Sequence, residues 1–385
     1  MNKVVIVGDL FPVPSNFDLF SKGDVQTLFG KEICDLFASA DYRMCNLEGT
    51  LTDGTERCEK TGPAYIAPTS TINAFKKLGI DCCTLANNHV TDGGHSGVLE
   101  TMRTLDDYGI QHLGAGENIK SIRKYHTFEV GSHKIGIYNV AETMYNAATE
   151  TKAGAHIYDE YLVCKEIQGC KTFCDYLIVI YHGGIEKFRY PSPELKKRFY
   201  RMADCGADIV ISQHTHCIGC EEYYKGSYLL YGQGNFLFKS FVEGLTDSGL
   251  ILEVFFESDK FRVKKHIVNA VNDYVKYAPK QDFSQFYKRS SMLSDDKFLR
   301  EQFQKFSYAE LKRYFVAFKG KDYYRKIATR LFPSKYERTY LLNAYGRKQL
   351  LFTLHTLRSE QNRETAIEGI MTLLDIMDDA NKKSQ

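Results

Sequence analysis

The 385-residue chain has no tryptophan, almost no net charge, and no run of about eighteen apolar residues such as a membrane-crossing helix needs. Its 50 Lys and Arg against 48 Asp and Glu exclude a polyelectrolyte binder over the whole length. The first residues, MNKVVIVGDLF, run straight into a strand-like segment, without the apolar h-region or the cleavage site of a secretory leader. A cytoplasmic location is therefore expected, and reduced thiols with it: the 11 cysteines are odd in number and irregularly spaced. Cys217 and Cys220 have C-x-x-C spacing but no second pair, and read as packed thiols. With 43% hydrophobic and 25% charged residues, the composition is that of a globular chain long enough to bury a core without disulfide staples. Disorder, collagen-like repeats and small secreted scaffolds are excluded.

Short apolar strands alternate with amphipathic helices through residue 268. Val4 to Gly8, Tyr42 to Asn46, Asp81 to Ala86, Tyr176 to Tyr181 and Ile209 to Ser212 are β-rich runs. Helical spacing lies between them at Thr69 to Leu78, His95 to Tyr108 and from Pro193 to Met202, with Pro193 in the first turn. This alternation predicts a layered α/β architecture. From Tyr223 the pattern suits antiparallel strands. Beyond about 270 glycines thin out and helical periodicity takes over at 282–320 and 335–381. The expected division is residues 1–270 and a helical module at 271–385. Within it, 297–348 holds fourteen Lys or Arg and four Asp or Glu. That stretch is a solvated helix face or a surface for peripheral contact with an anionic membrane or polymer.

In α/β sheets, ligands bind outside the carboxyl ends of the strands. Those ends here are Gly8-Asp9, Asn46-Leu47-Glu48-Gly49, Asn87-Asn88-His89, His182-Gly183-Gly184 and Gln213-His214-Thr215-His216. Each delivers carboxylate, amide or imidazole, and if the strands are neighbours the groups converge. Imidazole with carboxylate suits zinc, iron or manganese alike. His214 and His216, two residues apart, can address two adjacent ions, and Glu48 can bridge them. Two ions about 3.5–4 Å apart clamp a phosphoryl group and activate water. Asn88 is a weak neutral ligand. His89 is free to act as general acid. Asp92-Gly93-Gly94 reads as the cap of the following helix, with Asp92 also a candidate for supporting the site's ligands from behind. Gly114-Ala115-Gly116 lacks the third glycine of a dinucleotide site, and Gly232-Gln233-Gly234 lacks the Lys-Ser/Thr of a phosphate loop. No nucleic-acid-binding motif is present.

The ordered set of Val7-Gly8-Asp9, Asn46-Leu47-Glu48-Gly49, Leu85-Ala86-Asn87-Asn88-His89, His182-Gly183-Gly184-Ile185-Glu186, His214-Thr215-His216 and Tyr231-Gly232-Gln233-Gly234-Asn235-Phe236 resembles the CapA family. These are bacterial capsule and poly-γ-glutamate synthesis proteins within the calcineurin-like metallophosphatase superfamily. The resemblance covers about residues 3–260. It implies a four-layer α/β/β/α metallophosphatase-like sandwich, with Asp9 and His216 on one ion, Glu48 bridging, and Asn88, His182 and His214 on the other. It further implies His89 as acid and Glu186 as a residue that faces substrate or supports the ligands from behind. The sequence departs from the superfamily at Phe11, where Asp-x-His would place a histidine, and from the family at Gly183, where a tryptophan would stand.

The expected function is a metal-dependent, phosphoesterase-like hydrolase holding one or two divalent ions. Metal-bound hydroxide attacks and His89 protonates the leaving group. The substrate is a phosphoester or an anionic polymer. Two alternatives stand beside it: a non-catalytic binding or export protein for an anionic capsular polymer, and a γ-glutamyl amide hydrolase on the same centre.

Overall fold

Strand β1 (Lys3–Leu10) is buried along its whole length, and its side chains divide by parity. Val4 and Ile6 enter one apolar cluster, Val5 and Val7 another. Such continuous hydrophobic runs belong to strands covered on both faces. A computed structural model describes residues 2–238, 244–271, 273–278, 280–318 and 346–383. The strands continue as β2 (Tyr42–Leu47), β3 (Cys82–Thr84), β4 (Gln111–Leu113), β5 (Tyr125–Val130), β6 (His133–Ala141) and β7 (Tyr176–His182). Then follow β8 (Ile209–Gln213), β9 (Ile218–Tyr224), β10 (Ser227–Gln233), β11 (Asn235–Leu237), β12 (Ser248–Phe256), β13 (Phe261–Val271) and β14 (Tyr274–Tyr277). The helices are α1 (Phe17–Lys22), α2 (Val25–Ala38), α3 (Ile72–Leu78), α4 (Gly94–Asp107), α5 (Val163–Lys171), α6 (Pro193–Asp204), α7 (Ser284–Ser291), α8 (Asp296–Phe318), α9 (Arg347–Arg358) and α10 (Glu360–Lys383).

One sheet runs β14-β13-β12-β1-β2-β3-β4, with β11 pairing alongside the end of β1; the other runs β9-β10-β8-β7-β6-β5. The centres of both are parallel: β1 with β2 and β3 in the first, β6 with β7 and β8 in the second. The sheets face each other across Val4, Ile6, Met44, Ile178, Ile180 and Ile211. Phe20, Phe29 and Phe75 of α1 to α3 cover the outer face of the first sheet. Ile167 of α5 and Phe199 of α6 cover that of the second. This is the expected α/β/β/α sandwich.

The chain divides into two compact units, residues 1–58 with 64–300 and residues 59–63 with 301–385. Against the expected division at 270, β14 and α7 thus lie in the first unit. Arg289 of α7 donates to the carbonyl oxygens of Gly219 and Ile218 at 3.0 and 3.2 Å. In the second unit Ser307, Leu311 and Tyr314 of α8 are buried. Gly369 of α10 lets that helix approach closely, since a Cβ there would lie 2.6 Å from the Ser307 carbonyl oxygen. No helix of the described residues is long and apolar enough to cross a membrane. Most of the basic 297–348 stretch, 319–345, lies outside the described residues, as do Phe332-Pro333-Ser334.

The expectation of uniformly reduced cysteines is corrected. Cys164 of α5 and Cys205, just past α6, form a disulfide with Cα atoms 5.2 Å apart. The two helices lie side by side on the second sheet, a juxtaposition that a 41-residue separation does not announce. Cys217 and Cys220 are buried free thiols.

Glu253 of β12 is buried between the strands that flank it. Burial alone would raise its pKa, but hydrogen bonds from Lys3, His266 and Lys264 bring it from the ordinary 4.5 down to about 2. A depressed carboxylate stabilises fully above its unfolded value and loses that contribution as pH falls through its folded value. Glu253→Gln should therefore lower Tm at pH 7 and flatten the decline of Tm on acidification from 4.5 towards 2. Thermal melts of both proteins across that range check it.

Candidate metal centre

The carboxyl ends of the parallel strands meet at one edge of the sandwich. Asp9 of β1 sits opposite Asn46 of β2 on one side and Asn235 of β11 on the other. Gly8 permits this approach: a Cβ there would lie 2.3 Å from the Gly234 carbonyl oxygen. Glu48 follows β2, and Asn88 and His89 follow β3. From the second sheet, His182 ends β7, while His214 and His216 follow β8. Asp9, Glu48, His182 and His214 have no solvent exposure.

The structure brings all six expected ligands together. One ligand atom each from Glu48, His214 and His216 lies within 4.8 Å of the others. His182 Nε2 is 3.5 Å from Glu48 Oε1 and 2.8 Å from Asn88 Oδ1. His182 Nδ1 is 3.8 Å from Asp9 Oδ1, and His216 Nδ1 is 3.5 Å from Asp9 Oδ2. The His182 and His214 ring centroids are 4.9 Å apart.

Amides hold the set in place. Asn46 donates to Asp9 Oδ1 at 2.8 Å, and Asn87 donates to Asn46 Oδ1 at 3.0 Å. The His214 backbone N–H donates to Asp9 Oδ2 at 3.2 Å. His216 Nδ1 is 2.9 Å from Asn235 Oδ1. His214 and His216 both take left-handed φ angles, 87° and 55°. Non-glycine residues there cost of order 1–3 kcal/mol and persist where the surroundings enforce them, typically at functional sites.

His89 is held separately. Its Nδ1 is 2.7 Å from Asp92 Oδ2, its ring meets Tyr65 edge-on at 4.5 Å, and its backbone N–H donates to Asn87 Oδ1. Asp92 also accepts the Tyr65 backbone N–H at 2.6 Å. The expectation that Asp92 caps the next helix is corrected: Gly93 is the N-cap residue, and Glu56 accepts the His95 and Ser96 N–H groups, each at 3.0 Å. Glu186 is half-buried at the margin, close enough for its charge to act on Glu48. Phe11 turns into the core against Tyr65 at 6.0 Å, and it fills the space a Cβ at Gly49 would need.

A family model described as "Bacterial capsule synthesis protein PGA_cap" matches residues 3–240. The chain belongs to this family. It is 29% identical over 191 residues to "Capsule biosynthesis protein CapA" of Bacillus anthracis, covering 48% of this chain and 46% of that one. It is 24% identical over 221 residues to "PGA biosynthesis protein CapA" of Bacillus subtilis, covering 56% and 58%. This PGA_cap chain thus spans about half the length of the curated relatives it matches. A crystal structure of a putative 5′-nucleotidase from Staphylococcus aureus superimposes with a TM-score of 0.44 at 18% identity, over 79% of this chain and 58% of that one.

Glu142, which follows β6, was not among the sequence candidates. It is buried, accepts the Gly184 N–H at 3.3 Å, and stands 3.6 Å from His214 Nε2. It is a strand-end carboxylate like the others. What hides it is β6 itself, where Lys134, Gly136 and Asn139 interrupt the apolar run.

The donor set fits a divalent cation. Among the described residues neither oxygen of Glu48 has a hydrogen-bond donor, and no Lys or Arg pairs with Glu48 or Asp9. Burial and then the neighbouring Asp9 carboxylate push the Glu48 pKa well above the ordinary value. Burial also raises Asp9, against the pull of His216. Burial, then His214 and His216, hold His182 well below the imidazole range, leaving it the neutral base that a metal requires. The 3.5 Å between His182 Nε2 and Glu48 Oε1 suits two donors on one ion bound at about 2.0–2.2 Å. Glu48→Gln should leave metal-free protein as stable as wild type or more so, since it removes a buried uncompensated charge. It should weaken binding of zinc or manganese by more than about 100-fold. Calorimetric titration and thermal melts of chelator-treated protein check both arms.

Proposed function

We propose that this PGA_cap chain is a metal-dependent hydrolase of the phosphoesterase type. The observation that carries the proposal is the buried Glu48 carboxylate, without a hydrogen-bond donor among the described residues, beside three imidazoles and Asp9. Asp9, Glu48 and His216 would hold one ion, and Glu48, Asn88, His182 and His214 a second. Zinc, manganese or iron suits this donor set. A bound ion supplies Lewis acidity and a water of lowered pKa.

The chain's own residues do the rest. His214 and His216 are pinned on a strained turn, so the donor geometry is set before substrate arrives. His89, tied through Nδ1 to Asp92, presents Nε2 and gives its proton to the leaving oxygen or nitrogen. Asp92 fixes the ring orientation. Glu186 at the margin faces the substrate. The relatives' names connect them with capsule and PGA synthesis, so the substrate class proposed here is a phosphoester or a γ-glutamyl amide of an anionic polymer.

Phe11 supports a second reading. With no histidine there, the Asp9 ion has one ligand fewer than the superfamily pattern. The site then serves to hold an anionic capsular polymer without hydrolysing it.

His89→Ala separates the two. In the hydrolase it retains full metal content and loses about 10²–10⁴ in turnover, measured on aryl phosphoesters and γ-glutamyl anilides. Unchanged turnover removes His89 as the acid. Absence of turnover in metal-loaded wild type, with polymer still bound, supports the holding function.

A further inference from the structure

Besides the bridging Glu48, the second ion of the proposed site takes Asn88, His182 and His214. One short stretch after β6 reaches all three of the segments that carry them. Its Glu142 and Asn146 are both buried. The Glu142 backbone N–H donates to the His182 carbonyl oxygen at 3.0 Å. Glu142 Oε2 accepts the Gly184 N–H at 3.3 Å, so backbone and side chain together bracket the turn that begins at His182. Glu142 Oε1 stands 3.6 Å from His214 Nε2. Asn146 Nδ2 donates to the Asn87 carbonyl oxygen at 3.1 Å, directly before Asn88, and to the Glu142 carbonyl oxygen at 3.3 Å. The Met144 N–H donates to Asn146 Oδ1 at 2.9 Å, which fixes the direction of that amide.

Glu142 stands behind the donors rather than among them. Among the described residues, the ligand atoms that lie within 4.8 Å of one another come from Glu48, His214 and His216, and Glu142 is outside that group. Its carboxylate instead faces the Nε2 edge of His214. A metal-ligating imidazole commonly turns its other nitrogen to a carboxylate, which fixes both the tautomer and the ring orientation. At 3.6 Å the contact is too long for a hydrogen bond but close for a charge, and it favours the proton on Nε2. Nδ1 is then the nitrogen that His214 offers to an ion. Glutamine in the same place would separate this role from simple packing. Its single oxygen can keep the Gly184 bond, which turns its amide N–H groups towards His214 Nε2 and favours the proton on Nδ1.

We infer that Glu142 is the positioning residue of the second ion: it pins the His182 turn through Gly184 and holds His214 with its ring proton on Nε2. The inference rests on the metal-dependent hydrolase reading above. Calorimetric titration of zinc into the chelator-treated full chain, as wild type and as Glu142→Gln, tests it. The variant should bind one ion about 10–100-fold more weakly and leave the ion of Asp9 and His216 at wild-type affinity. Proton–nitrogen correlation spectra of the metal-free chain at alkaline pH supply a second readout, with the His214 signals assigned by their loss in His214→Ala. They should show Nε2–H in wild type and Nδ1–H in Glu142→Gln. A Glu142→Gln chain that binds zinc as wild type does overturns the inference and leaves the hydrolase reading standing. Nδ1–H on His214 in wild type overturns it as well, and that result needs no Glu142 variant to fold. Wild type that takes up no zinc overturns the hydrolase reading and this inference with it.

Discussion

Two carboxylates, Asp9 and Glu48, are taken wholly out of water side by side, and no Lys or Arg of the described residues pairs with either. Burial of an uncompensated charge costs several kcal/mol even after relaxation. Folded protein tolerates it where protons or cations supply the missing charge. The rest of the site answers this constraint. Asn46 spends an amide hydrogen on Asp9, the His214 backbone spends another, and the His182, His214 and His216 imidazoles press in, His182 held in its neutral form by burial. The arrangement is a poor way to stabilise an edge of a sheet and a good way to receive a divalent ion.

The two sheets divide the labour. The first supplies Asp9, Glu48, Asn88 and His89; the second supplies His182, His214, His216 and Glu142. Neither half is a site without the other. The layer between the sheets, with Val4 and Ile6 against Ile178 and Ile180, sets the spacing at which donors from opposite sheets meet. A bound ion would cross-link the sheets at their edge, so metal binding and the stability of the sandwich are coupled through the same contacts.

Much of this was legible in the sequence. Strands β1, β7 and β8 read as apolar runs because both faces are buried, and each brings a polar residue, Asp9, His182 or Gln213, to its carboxyl end. The order of these ends, from Asp9 to His216, sufficed to recognise the family. What stayed hidden depends on distance in space. Glu142 follows a strand whose pattern is broken by Lys134, Gly136 and Asn139. Asp92 sits where a helix cap belongs, yet its carboxylate is drawn to His89 and Tyr65, and Glu56 takes the helix end from across a loop. The Cys164–Cys205 bridge depends on two helices lying side by side.

The central claim is that this edge of the sandwich is a cation site shared by both sheets. Elemental analysis of full-length protein purified without chelator, beside His214→Ala and His216→Ala, tests it most directly. The account predicts one or two divalent ions per chain in wild type, with each variant losing mainly one of them. Metal-free wild type that stays empty after exposure to zinc, iron and manganese would contradict it.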